Sequence, residues 1–336
     1  MKPTDFAQML TTYLSIYLPG QKNASSHTIQ SYRDTFKLLL NYCQFVRGLA
    51  IERLTLHDLD DQLIVSFLEW LETERKNQIA TRNQRLACIH AFYRYLQIEE
   101  PAGLWPYQKI LAIPMKKTLR PVISHLTPEA LQVLLAQPNR ETRSGRRDAV
   151  MLAVLYDTGA RVQELLDLRV CDIRLEPPPL LTLTGKGNKS RQVPLMSPTA
   201  KLLKQYMAEW QLGRNGTQDT PVFFNRCRQK MTRAGVAFIL SKYAAQARQL
   251  SVGIPEHVTP HMLRHSKAMH LLQAGVNLVY IRDLMGHADI ATTEIYARAD
   301  TELKRKALEQ AYPTLISAEL PDWTKDNALL SWLNQL

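Results

Sequence analysis

Four prolines, at positions 101, 106, 114 and 121, stand between two stretches of helical patterning and decide how this chain can be divided. Proline lacks an amide hydrogen and clashes with the turn before it, so no long helix can run from Pro101 to Pro128. At 336 residues the chain also exceeds the span of one ordinary core. The break therefore reads as a boundary: a first domain over 1–114, a linker over 115–124, a second domain over 125–312 and a tail over 313–336.

Upstream of the break the apolar positions follow the helical period. Ile29, Tyr32, Phe36, Leu39, Leu40 and Cys43 share one stripe, with Ser25 or Ser26 as N-cap. A second helix opens near Asp60 with Leu63, Phe67, Leu68 and Leu71 inward. A third runs from Ala80 to Leu96 with Leu86, Ile89, Phe92, Tyr93 and Leu96 inward, which makes the first domain all-helical.

Downstream, Thr127-Pro128-Glu129 is an N-cap followed by proline at the first helical position, opening a helix through Leu135. Another helix covers Arg147 to Tyr156 and stops at Gly159. Leu180 to Leu195 reads as strand, Gly/Asn turn, strand, a hairpin with Lys186 at its turn. Helical patterning resumes through Tyr312, with Gly275 and Gly286 as C-caps. The fold class expected is mostly α with a small β-sheet (α+β).

Several residues on this frame suit attack on a phosphodiester. Such attack requires an in-line nucleophile, neutralisation of the non-bridging oxygens and a proton for the leaving oxygen. Arg161, in Thr158-Gly159-Ala160-Arg161-Val162-Gln163-Glu164-Leu165, and Arg264, in His261-Met262-Leu263-Arg264-His265, offer planar forks that match phosphate oxygens. His261 lies one helical turn before Arg264 and shares nearly the same face. Tyr296, nine residues after His287, supplies a hydroxyl. Its reference pKa of about 10 means that it must lose its proton as it attacks or sit near strong positive charge.

Lys186 on the hairpin tip is placed to protonate the departing oxygen. His287, after Gly286 at a helix end, would donate a hydrogen bond to the phosphate. Glu164, one turn after Arg161, would hold a cationic or imidazole neighbour. His265 sits about 100° round the helix from Arg264 and reads as a structural histidine.

Other chemistries fit less well. His261 and His265 have zinc-ligand spacing, but Met262 stands where the HExxH pattern has glutamate and no third ligand motif follows. Asn188 replaces the glycine that a phosphate-binding NTPase loop needs before Lys-Ser. Cys43, Cys88, Cys171 and Cys227 are scattered with no CxxC pair, which suggests neither a zinc ribbon nor a disulfide framework. No metal or other cofactor is expected.

Lys and Arg number 42 against 31 Asp and Glu, a net charge of +11 that suits a polyanionic partner, although a merely soluble basic protein could carry it too. Arg82 and Arg85 near the start of the third helix, and Lys116 and Lys117 in the linker, are candidate DNA contacts. So are Lys189, Arg191, Arg226, Arg228, Lys230 and Arg233; for each the alternative is a solvated charge. The chain has no long apolar run, and Met1-Lys2-Pro3-Thr4-Asp5 lacks the apolar core of a secretory signal, so a cytoplasmic protein with no membrane partner is expected.

Taken together, these motifs resemble the tyrosine recombinase (integrase) family, in particular its Xer-like and mobile-element members. Thr158 to Leu165 is similar to the family's first arginine box, Gly185 to Arg191 to its hairpin lysine, and His261 to His265 to its second box. Met285-Gly286-His287 and Tyr296 complete the set, with no departure at a catalytic position. The likeness is strong over roughly residues 125–300, whereas the N-terminal helices resemble the family's core-binding domain in pattern only.

The resemblance implies an N-terminal core-binding domain and a C-terminal catalytic domain forming a C-shaped clamp on double-stranded DNA recombination sites. It implies that Tyr296 attacks a DNA phosphate, leaving a 3′-phosphotyrosyl bond and a free 5′ hydroxyl that attacks the joint of a partner duplex, without ATP or obligatory metal. It further implies a dimer on one site and a tetramer in the synapse, or assembly with a related recombinase.

The extra length and tail favour the integrase or transposase of a mobile element over a host Xer-type enzyme for chromosome-dimer resolution. A non-cleaving DNA-binding protein would have lost a catalytic residue, and a type IB topoisomerase-like enzyme would act without a second duplex. In the tail, Leu329, Trp332, Leu333 and Leu336 form an apolar stripe, with Asp326 or Asn327 as cap. That stripe would dock on a neighbouring protomer or on its own domain.

Overall fold

The computed structural model describes residues 2–118, 124–185, 187–213, 218–250, 253–287 and 289–299, together with 331 and 333–335. The chain divides into two units, Met1–Pro121 and Val122–Leu336. Lys186, most of the tail and the expected helix beyond residue 299 lie outside the described residues.

The first unit is helical: α1 (Asp5–Thr12), a widely wound stretch over Tyr13–Gln21, α2 (Ser26–Phe45), α3 (Asp61–Thr73), α4 (Ile79–Glu99) and α5 (Leu104–Leu111). Helix α2 starts where Ser25 Oγ accepts the Thr28 amide at 3.2 Å, and α3 where Asp60 Oδ1 accepts that of Leu63 at 2.7 Å. The stripes meet around buried Phe36, Phe67 and Phe92, with the Phe36 and Phe92 rings edge to face at 5.0 Å. Burying each such side chain contributes on the order of 1.5–3 kcal/mol.

The sequence offers no signal for α5 amid the prolines. The helix forms because Pro106 falls in its first turn, where a missing amide hydrogen costs nothing. Lys116 is also less free than a linker residue. Its amide donates to Asn83 Oδ1 (3.1 Å), its carbonyl accepts from Asn83 Nδ2 (2.7 Å) and its ammonium pairs with Glu72 (2.7 Å).

The second unit contains α6 (Pro128–Leu135), α7 (Arg143–Thr158), α8 (Val162–Asp167), β1 (Ile173–Arg174), β2 (Leu180–Thr184), β3 (Ser190–Pro194), α9 (Ser197–Glu209), α10 (Arg233–Arg248), α11 (Pro260–Gln273), α12 (Leu278–Met285) and α13 (Ala291–Ala299). Helix α7 opens a turn earlier than its apolar pattern suggests, because Thr142 Oγ1 accepts the Gly145 amide at 3.0 Å. It packs against α9 and α11.

The sheet is antiparallel in the order β1-β2-β3, and Leu183 faces Arg191 across the β2–β3 hairpin. Helix α11 is buried nearly all round, through Met262, Leu263, Arg264, Ser266, Ala268, Met269 and Leu272. Polar bonds lock its position: Ser266 Oγ accepts the Leu126 amide (2.8 Å), and His270 Nε2 lies 2.9 Å from the Leu126 carbonyl. Among the described residues no helix is long and apolar enough to cross a membrane.

Candidate active site

The site begins where α7 ends. Gly159 takes the left-handed conformation (φ 58°), and a Cβ there would lie 2.7 Å from Met285 Cε, so the turn needs glycine for both shape and space. The turn delivers Arg161 to the N-terminus of α8. Its amide donates to Glu164 Oε2 (2.9 Å) and its Nη1 to Glu164 Oε1 (2.7 Å).

Glu164 is buried and also accepts both Nη groups of Arg191, at 3.1 and 2.8 Å. Burial pushes its carboxyl pKa up, but the hydrogen bonds from Arg191 and Arg161 outweigh that and hold it down at about 2. The carboxylate is thus a fixed anchor rather than a proton carrier. Of the cationic or imidazole neighbour expected for Glu164, the structure shows two guanidiniums, those of Arg161 and Arg191.

Three guanidiniums converge on successive carbonyls at the C-terminus of α12. Arg191 Nε donates to Leu284 O at 2.8 Å, Arg264 Nη2 to Met285 O at 2.5 Å and Arg161 Nη2 to Gly286 O at 3.2 Å. Helix C-termini expose unpaired carbonyls and the negative end of the macrodipole, so cations are favourable there. Gly286 turns the chain out in the left-handed conformation (φ 63°), and a Cβ on it would lie 2.8 Å from Arg191 Nη1. The result is a rigid exit from α12 that aims His287.

Arg264 is 3% exposed. A buried charge is costly unless it is bonded, and its second Nη reaches Gly159 O. Burial, then the Arg161 charge, lowers its pKa to about 10, so it stays protonated at neutral pH. Three guanidiniums therefore lie around one carboxylate, and the carbonyls that orient them cancel none of the surplus charge. Such an arrangement suits an oxyanion. Among the described residues no group of three His, Cys, Asp or Glu side chains is placed to hold a metal ion.

Tyr296 is 1% exposed, its ring packed with Ala268, Met269, Leu272, Ile281 and Met285. Its hydroxyl lies 2.9 Å from His265 Nδ1. Burial raises the phenol pKa, while Arg264 and Arg161 pull it back. The His287 ring lies 15° from parallel to the tyrosine ring, centroids 6.3 Å apart, and its Nδ1 is 2.9 Å from Thr293 Oγ1. Burial, then Arg264, Arg161 and Arg191, lowers the His287 pKa to about 4. A neutral ring that accepts the threonine hydroxyl at Nδ1 presents Nε2–H as a donor.

His261 is exposed as a residue, and its pKa is lowered by partial burial of the ring and by Arg264 and Arg161. Its ring stacks on His265 with centroids 6.0 Å apart. His265, expected as a structural histidine, contacts the tyrosine hydroxyl. No local pattern marks that contact, because residues 265 and 296 lie on different helices, α11 and α13.

Several expected DNA contacts point elsewhere. Arg191 is inward because it stands opposite Leu183 and two residues from buried Val193, and the strand period of two puts all three on one face. Arg82 is buried against Glu72, Asn83 and the Pro114 carbonyl. Arg85 is half-buried on Ser31 O (3.3 Å) and Thr35 Oγ1 (3.0 Å). Both arginines precede Ile89 and Phe92 at helical spacing, so they continue the inward stripe of α4.

Lys230 pairs with Asp167, and Arg233 Nε donates to Gln163 at 2.7 Å. Lys117, Lys189, Arg226 and Arg228 are exposed.

The comparisons with known proteins follow the same division. Residues 124–302 match the phage integrase family, and residues 11–100 match the phage integrase N-terminal SAM-like domain. A Sinorhizobium fredii protein provisionally named integrase/recombinase y4rC is 36% identical over 100% of this chain and 99% of its own length. The tyrosine recombinase XerC of Pelobacter propionicus is 30% identical over 89% of this chain and 93% of its own length.

Two solved structures share the fold. XerH recombinase bound to a palindromic difH substrate has a TM-score of 0.69 at 22% identity, covering 86% of this chain and 81% of that one. The Tn1549 transposon integrase in complex with transposon right-end DNA has a TM-score of 0.71 at 13% identity, covering 90% and 98%. The family match spans more than half of the chain and a relative matches it from end to end: the chain belongs to the phage integrase family of site-specific tyrosine recombinases.

Proposed function

We propose that this protein cuts and rejoins double-stranded DNA through a 3′-phosphotyrosyl bond at Tyr296, as the integrase or transposase of a mobile element. The observation that carries the reading is the meeting of Arg161, Arg264, His287 and Tyr296, distant in sequence, around the C-terminus of α12. Arg161 and Arg264 take the non-bridging oxygens of the scissile phosphate, and neutral His287 donates Nε2–H to it. Lys186, a role that rests on sequence alone, protonates the departing 5′ oxygen. Ester energy passes to the phosphotyrosine, so the reaction needs no ATP.

DNA as the partner is supported by the XerH and Tn1549 relatives, whose solved structures hold it. Two protomers share one recombination site and four form the synapse, with the tail on a neighbouring protomer. A second reading, host Xer-type resolution, is favoured by the XerC and XerD names among relatives that match most of this chain.

The test uses duplexes cut from the DNA flanking its gene and nicked so that a covalent product is trapped. Tyr296→Phe is expected to form no adduct while binding DNA as before, since the ring packing survives. Lys186→Ala is expected to regain cleavage on a substrate with sulfur at the 5′-bridging position. An adduct in Tyr296→Phe, or no sulfur rescue, would overturn the respective role. Deleting 318–336 should spare attachment but cut strand exchange, and a truncated protein that recombines normally would end the trans-docking idea.

A further inference from the structure

We infer that His265 is the proton acceptor for Tyr296 in the cleavage step, a catalytic residue additional to the arginines, lysine, histidines and tyrosine already assigned. The inference rests on the reading of Tyr296 as nucleophile. Its basis is contact: Nδ1 of His265 lies 2.9 Å from the atom that must attack. The other two histidines are less well placed. His287 lies flat beside the tyrosine ring with Nδ1 engaged by Thr293, and His261 is stacked behind His265 on the exposed side.

The chemistry requires an acceptor in that position. A phenol is a weak acid, and burial makes this one weaker, so proton loss to bulk water is unfavourable where the ring is sealed in the core. His265 is kept neutral by its own burial and by His261 and Arg264 on α11 and His125 ahead of α6. Facing it from α13 is Tyr296, with His287 beyond. None of these neighbours is a carboxylate that would favour the imidazolium.

The step balances. The Oη–H bond breaks and its proton passes to Nδ1 of His265, the freed pair on Oη forms the bond to phosphorus, and the P–O5′ bond breaks with its pair on the 5′ oxygen. That oxygen takes a proton from Lys186. In rejoining, imidazolium returns its proton to the departing tyrosine.

The test uses full-length protein and nicked suicide duplexes selected from a random-sequence library by the covalent adduct that the wild type forms. His265→Ala should slow adduct formation by about 100-fold or more, the usual scale for a lost general base, with DNA affinity unchanged. The wild-type rate should fall on the acid side with loss of one proton acceptor, and the variant should lack that limb. His265→Asn, which keeps an amide near the hydroxyl but cannot take a proton, should be as slow as alanine.

Asparagine at wild-type rate, an alanine variant within about twofold of wild type, or an acid limb surviving in the alanine variant would each overturn the inference. A Tyr296→Phe protein that still forms adducts would overturn the nucleophile reading itself. Should the alanine variant fail to fold, 3-fluorotyrosine at position 296 in the free wild-type protein decides: its fluorine resonance must follow one titration in the acid range that His265→Asn removes. A resonance that follows none overturns the inference.

Discussion

Arg82 on α4 of the first unit and Arg161 ahead of α8 in the second both sit beside a glutamate and hydrogen-bond a backbone carbonyl, yet their side chains are 6% and 35% exposed. Glu72 takes Lys116 as well as Arg82, and the Arg82 fork ends on Asn83 and the Pro114 carbonyl. In the second unit Glu164 takes two guanidiniums while Arg264 rests on carbonyls alone. Carbonyls orient an arginine without neutralising it. The same residue type thus serves as an internal brace in one unit, whereas in the other two arginines share one carboxylate and a third has none bonded to it.

Removing the carboxylate at the centre of the second cluster should have the largest effect on stability. Glu164→Ala leaves buried guanidiniums without their counter-charge and should cost about 3–5 kcal/mol in denaturant unfolding. The wild type should show the same linkage with pH. Because the folded-state pKa of Glu164 is depressed to about 2, its contribution is complete above the ordinary glutamate range and is lost as pH falls from there toward 2. His287, depressed to about 4, adds to the loss: below about pH 6.5 the unfolded state takes up its proton first. Unchanged unfolding free energy between neutral pH and pH 3 would break this account.

Next in size, Arg161→Ala and Arg264→Ala should each slow cleavage by about 100- to 1000-fold, the cost of a lost charge-stabilising donor. Arg264→Ala should also lower the melting temperature, because it uncovers the Gly159 and Met285 carbonyls. Arg264→Lys should not restore either property, since an ammonium cannot fork to two carbonyls.

Arg82→Met sharpens the comparison from the other side. It should destabilise the protein by about 1–3 kcal/mol and leave the salt dependence of DNA binding unchanged. A fall of about 0.9 in the slope of log affinity against log salt would make Arg82 a phosphate contact after all. Exposed Lys117 should behave oppositely and weakly: in Lys117→Ala the slope falls by about 0.9 at most, with the melting temperature unmoved.

Much of this was legible in the sequence. A cap at Ser25 or Ser26, a helix start near Asp60, the cap at Thr127, the hairpin and the stop at Gly159 all follow from local chemistry, and the structure places the first cap at Ser25. The boxes around Arg161, Arg264, His287 and Tyr296 were readable because residue type and order suffice to propose their chemistry.

What was not readable was direction. A charged side chain is ordinarily outward, but Arg82, Arg85 and Arg191 point inward because the helical and strand periods carry them onto core faces. Partnership was equally hidden. Nothing in the sequence alone pairs His265 with Tyr296, since the contact depends on how α13 lies on α11.

The most direct measurement of the central claim is to trap the covalent complex on a nicked duplex, digest both components and sequence the modified peptide by mass spectrometry. The account predicts a nucleotide joined through its 3′ phosphate to Tyr296, with a free 5′ hydroxyl on the other fragment. Attachment at any other residue, or through a 5′ phosphate, would contradict it.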